Sequence, residues 1–152
     1  MKVQRIMIAL DDDPLAVHAA TAGSDLAQAL GAKIAFVYVI EPPSEIGAGT
    51  GLAPDQAIEI AREVAHDRIA AIRGDKPDPA HIEFMPAGIA ADEIVKAARE
   101  WPADIVVIGS HGRGGLQRVV QGSVAEAVMR RAPCPVLVVK APEADAPINP
   151  PA

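Results

Sequence analysis

Aromatic residues are scarce in this 152-residue chain: they make up 3% of it, with one Trp, one Tyr and two Phe. The core must therefore be filled by Ala, Val, Ile and Leu, which an apolar content of 50% can supply. Basic residues are also short, with 14 Lys and Arg against 20 Asp and Glu and a formal net charge of -6. A nucleic-acid binder shows a basic footprint, or aromatics set among Lys and Arg for base stacking. Neither is present, so no nucleic-acid partner is expected. Cysteine is limited to Cys134. That excludes an intramolecular disulfide and suits a reducing compartment. No apolar run approaches the roughly 20 residues of a membrane span, and no leader with a cleavage site follows Met1. The expectation is one cytoplasmic domain with no membrane partner.

What is present is an alternation of two patterns. Short apolar runs rich in β-branched residues occupy Ile6 to Leu10, Ile34 to Ile40, Ile105 to Ile108 and Val136 to Val139, with a weaker strand signal from His81 to Met85. Near-continuous apolar strands belong in a sheet covered on both faces. Between them lie helical stripes: Ala19, Gly23, Leu26 and Leu30, stopped at Gly31; Ala57, Ala61, Val64, Ala65 and Ile72, stopped at Gly74; Ala91, Ile94, Ala98 and Trp101, stopped at Pro102; and Val124, Ala127 and Val128, ended by Pro133. Strict β-α alternation predicts an α/β fold with a doubly wound parallel sheet and right-handed crossovers. Ligands of such sheets bind beyond the carboxyl ends of the strands, at a switch in strand order. Glu41 to Pro54 reads as a loop that either covers a ligand or connects without a role. The Pro-rich tail from Ala141 to Ala152 is expected to be disordered.

One segment carries chemistry. Gly109-Ser110-His111-Gly112-Arg113-Gly114-Gly115 follows a buried strand, and nine residues separate Gly112 from Gly122-Ser123, which opens a helix. Glycines let N–H groups converge on an anion, and a helix N-terminus offers further free donors to phosphate. No Gly-Lys-Ser/Thr occurs, so this is not a Walker A loop. Nor does the glycine set follow the first strand, as a dinucleotide fingerprint does. The first strand ends in Asp11-Asp12-Asp13.

At these residues the chain resembles the universal stress protein family. Nucleotide-binding members of that family carry G-x2-G-x9-G-[S/T] after the fourth strand, and Gly109, Gly112, Gly122 and Ser123 reproduce it. Asp11 matches the family's Asp after the first strand, and Ala132-Pro133-Cys134-Pro135-Val136 matches its ending. The resemblance runs over residues 1–140. It implies an adenine nucleotide alpha hydrolase-like sheet of five strands in the order 3-2-1-4-5, binding of ATP (or ADP or AMP), and a homodimer built on the last strand, Val136 to Val139. By position, Asp11 would meet the ribose hydroxyls and Val39 the adenine. Ala9, Ile108 and Gly109 would line the base and ribose side. Gly112, Arg113, Gly122, Ser123 and Val124 would hold the phosphates, although the Arg113 side chain can equally face solvent. The family has a small residue and then Ser or Thr where this chain has Asp12 and Asp13. Two extra carboxylates repel a polyphosphate unless a divalent cation, Mg²⁺ or Mn²⁺, sits between them, so the metal is left open.

Simpler roles compete for several of these residues. Ser123 with Glu126 has the form of a capping box, and Asp13 before Pro14 suits a helix N-cap. Asp92 and Glu93 complement a helix dipole. His111 in the glycine loop could approach a phosphate or simply stand exposed. His18, His66 and His81 show no ligand spacing, and Cys134 reads as a buried, inert thiol. A response-regulator receiver would need an Asp at the end of the third strand, where Met85-Pro86 stands. A hydrolase would need G-x-S-x-G, which is absent, and a nucleotidyltransferase would want paired histidines by the first strand. No general base is evident. The expectation is a nucleotide-regulated stress-response protein. The alternatives are a slow ATPase and a dimeric scaffold without nucleotide.

Overall fold

The computed structural model describes residues 1–42, 51–74, 80–110 and 123–141. Among them, strands and helices alternate as β1 Arg5–Leu10, α1 Ala16–Leu30, β2 Lys33–Tyr38, α2 Pro54–Arg73, β3 Ile82–Phe84, α3 Ala90–Glu100, β4 Ile105–Gly109, α4 Ser123–Arg131 and β5 Val136–Val139. The strands form one sheet in the order β3-β2-β1-β4-β5, and every neighbouring pair is parallel. This is the doubly wound α/β sheet that the alternation predicts.

The apolar runs are continuous because both faces of the central strands are covered. In β1, Ile6, Ile8 and Leu10 join an apolar cluster with α1 and α2. Met7 and Ala9, on the opposite face, join the cluster with α3 and α4. Pleating alone produces this division, since successive side chains point to opposite faces.

Helix α1 lies very close to the sheet. A Cβ on Gly23 would stand 2.6 Å from Ile8 Cδ1, so glycine is required there for packing. The buried face of α1 is accordingly built of small residues, Ala16, Ala19, Ala20, Gly23 and Ala27. Leu30, expected on this stripe, is exposed. In α2 the buried line is Ala65 and Ile69, while Val64 turns outward. Both differences have one cause: at 100° per residue, a stripe read from apolar identity alone drifts by a position. Gly31 at φ 64° and Gly74 at φ 63° end their helices in the left-handed region that glycine tolerates.

The second strand is shorter than expected, and Ile40 instead makes an isolated bridge to Ala87. β3 and β5 form the two edges. Of the loop expected from Glu41 to Pro54, residues 43–50 lie outside the described residues and Pro54 already opens α2; the tail beyond Ala141 also lies outside them.

Candidate site at the carboxyl ends of β1 and β4

The order of strands places a switch at β1. The chain leaves β1 toward β2 and β3, then returns on the other side at β4. Ala9 is in register with Ile108, Leu10 with Tyr38, and Gly109 with Val139. Ala9 and Ile108 are buried at this edge and share one apolar cluster, against which Val39 and Val124 pack. Beside Gly109, no described atom lies within 4 Å of the position a Cβ would take. Ser110 N–H donates to the Val139 carbonyl at 2.9 Å, which aligns the start of the glycine segment with β5. Ser123 is the exposed first residue of α4. Gly112, Arg113 and Gly122, with His111, fall in residues 111–122, outside the described residues.

The three aspartates divide their work. Asp11 is exposed, and its Oδ1 accepts the Asp13 N–H at 2.9 Å. Asp13 Oδ1 accepts the Leu15 N–H at 2.9 Å, and its carbonyl accepts the Ala16 N–H at 2.9 Å. Asp13 is therefore not the N-cap of α1, a position held by Leu15 with no side-chain cap. It closes the turn just before the helix instead, because an Asp side chain readily bonds the N–H two residues on. Asp12 is held by side chains from two other elements. Its Oδ1 accepts from the Tyr38 hydroxyl and from Arg68 Nη1 at 2.6 Å. Arg68 thus sets a positive charge beside the Asp12 carboxylate. Among the described residues, no group of three His, Cys, Asp or Glu could hold a metal ion.

Sequence reasoning missed Arg68 and Tyr38. It also missed a second cluster at the sheet edge. Glu83 Oε2 accepts from His66 Nδ1 at 2.6 Å, and Glu83 Oε1 from His81 Nε2 at 2.9 Å. A carboxylate only accepts, so both imidazole nitrogens carry hydrogen. With His81 Nε2 donating to Glu83, Arg73 Nη1 can donate only to the other ring nitrogen, His81 Nδ1. The Glu83 hydrogen bond raises the His66 pKa above its ordinary value. Burial pushes Glu83 upward, but hydrogen bonds from His81 and His66 outweigh it and leave the carboxyl lowered. The one signal in sequence was the i, i+2 spacing of His81 and Glu83, which puts both on one face of a strand.

Other residues settle into structural roles. Glu126, offered as half of a capping box, accepts from Arg130 at 2.7 Å. Asp92 stands in the first turn of α3 and accepts from Arg131 Nη1 at 2.6 Å. Cys134 is half-buried, and burial is the main cause that pushes its thiol up, with the Asp104 carboxylate adding to it. No helix among the described residues is long and apolar enough to cross a membrane.

The family model described as the universal stress protein family matches residues 2–140. The chain belongs to the universal stress protein family. Among its relatives, universal stress protein MJ0531 of Methanocaldococcus jannaschii is 30% identical over 143 residues, covering 92% of this chain and 84% of that one. The solved structure of MJ0577, a universal stress protein of the same organism, superposes with a TM-score of 0.79 at 25% identity, over 95% of this chain and 100% of the other. A universal stress protein solved in complex with cAMP shares the fold, with a TM-score of 0.63 at 24% identity over 91% of this chain and 98% of its own.

Proposed function

We propose that this universal stress protein binds ATP or another adenine nucleotide at the carboxyl ends of β1 and β4 and acts as a nucleotide-regulated stress-response protein of the cytoplasm. One observation carries the reading. The complete spacing Gly109-x2-Gly112-x9-Gly122-Ser123 joins the carboxyl end of β4 to the first turn of α4, at the switch point where such sheets take ligands. The residues present fit the group. Exposed Asp11 is suited to ribose hydroxyls, Val39, Ala9 and Ile108 give an apolar border for the base, and Gly109 adds no side chain at the strand end. Gly112, Arg113, Gly122, Ser123 and Val124 would hold the phosphates, with α4 contributing its free N–H groups. When bound, the nucleotide supplies a charged group whose presence can be signalled; calorimetry with and without Mg²⁺ or Mn²⁺ decides whether a cation accompanies its phosphates. The universal stress protein solved with cAMP holds an adenine nucleotide on this fold.

The test is direct. Denaturing the purified protein and chromatographing the supernatant should release ATP, ADP or AMP, and calorimetry with ATP and Mg²⁺ should show binding to stripped protein. If no nucleotide is released and none binds, the reading is overturned.

The assembly proposed is a homodimer through β5. That strand is an edge, and its Leu137 is 41% exposed. An open apolar edge invites pairing with another strand. Sedimentation equilibrium should give twice the chain mass; a monomer would remove the dimer while leaving nucleotide binding to its own test.

A further inference from the structure

Asp12 is a carboxylate in a place where a phosphate-binding protein gains nothing from one, yet its side chain is held by two elements. Tyr38 closes β2 and reaches it from the neighbouring strand. Arg68 reaches it from α2, 56 residues along the chain. Both members of the ion pair are partly exposed, Arg68 at 39% and Asp12 at 50% of their side chains. The pair therefore contributes little to stability. Its charge, however, faces the same solvent as the strand ends. The loop Asp11-Asp12-Asp13 places three carboxylates in consecutive positions at the mouth of the site.

Resting on the nucleotide reading above, we infer that Arg68, steadied with Tyr38 on the Asp12 carboxylate, is a positioning and specificity residue that lets the β1–α1 loop accept a ligand with several phosphates. Arg68 offsets the Asp12 charge and, with Tyr38, keeps that carboxylate on the α2 side of the loop. Asp11 is then the carboxylate left at the ligand's side, where a ribose needs an acceptor. The field of one unit charge acts in proportion to the charge of the ligand. The effect is therefore graded: greatest for ATP, smaller for ADP and AMP, and absent for adenosine.

Calorimetry on four full-length proteins tests this: wild type, Arg68→Gln, Asp12→Asn and the double variant. Arg68→Gln is expected to weaken ATP roughly threefold at physiological salt, and Asp12→Asn to tighten it by about the same factor. The double variant should return to the wild-type value, adenosine should bind all four alike, and 1 M salt should erase the differences. Opposite signs from the two single variants are what a purely structural contact would not produce. If both weaken ATP, or if adenosine suffers as much as ATP, the inference is overturned while the nucleotide reading stands. If wild type binds no nucleotide at all, both fall. A ligand-free readout is available as well. Tyr38 is the chain's single tyrosine, so its ring carbon resonances are unambiguous; they should move in Asp12→Asn, and unmoved resonances would overturn the contact itself.

Discussion

The two ends of the sheet treat their carboxylates differently. At the amino end, Asp104 stands just before β4. Its Oδ2 accepts the Gln4 N–H at 2.8 Å and the Arg5 N–H at 2.9 Å, while its own N–H donates to the Arg5 carbonyl at 2.9 Å. Those backbone donors, the Gln4 N–H foremost, hold the Asp104 carboxyl below its ordinary value. Arg5 Nε donates to the Pro102 carbonyl at 2.9 Å and completes the closure. At the carboxyl end, Asp11 and Asp13 serve short turns and Asp12 is held by side chains from β2 and α2. A carboxylate spent on the backbone of a neighbouring strand joins two strands and has one use. A carboxylate that is itself half-exposed and paired with a partly exposed arginine can respond to a ligand. The first end reads as assembly and the second as function, which is where open α/β sheets place their ligands.

The sharpest way to break this contrast is Gly112→Val. A β-branched side chain in the phosphate approach should reduce ATP affinity by roughly a hundredfold or more, with the thermal melting curve unchanged. Undiminished affinity would show that the functional end lies elsewhere. Asp11→Ala should cost about tenfold in affinity for adenosine, since a charged hydrogen bond to the ribose is lost, and less for ATP, because the same change removes one negative charge from the loop; calorimetry of the two ligands decides it.

At the other end the expectation reverses. Asp104→Ala should lower the urea midpoint and leave nucleotide affinity untouched. The lowered Asp104 pKa sets the pH range: its stabilisation is present above the ordinary value of 3.8 and is lost as pH falls through the folded value. The wild-type advantage over the variant should therefore shrink in acid. A variant that lost affinity along with stability would erase the distinction between the ends.

The smallest effect concerns the sheet edge. His66 should titrate above 6.5 in NMR, because Glu83 favours its charged form, and Glu83→Gln should bring it back. A raised histidine pKa stabilises fully below 6.5 and less as pH rises through the folded value. Glu83 works in the opposite sense, contributing above 4.5 and losing its share as pH falls through its lowered value. The contact between α2 and β3 should thus be strongest between these limits. An unshifted His66 would remove Glu83 as an edge device.

Much of the fold was legible because its signals are local. The β-branched runs at Ile6 to Leu10 and Ile105 to Ile108, and the glycine stops at Gly31 and Gly74, act through backbone geometry within a few residues. Stripe assignments failed at Leu30 and Val64, where apolar identity does not say which side of a helix lies closest to the sheet. Of the candidate site, the apolar runs put Ala9, Asp11, Val39, Ile108 and Gly109 at or just beyond strand ends, while their roles toward a nucleotide rest on the family resemblance. Asp13 was placed near its role but in the turn rather than the cap. Arg68 and Tyr38 could not be found, since neither belongs to a motif and both reach Asp12 only across the fold.

The sequence by itself determined the alternation of strands and helices, the two apolar faces of the buried strands and the glycine spacing that follows the fourth strand. Each depends on side-chain period or backbone freedom over a few residues. Only the tertiary structure decided which strands are neighbours, that α1 approaches closely enough to need Gly23, and that the Asp12 carboxylate is held by Arg68 and Tyr38. Those outcomes depend on contacts between residues far apart in the chain, whose partners become defined only when the sheet is assembled and its two faces are covered.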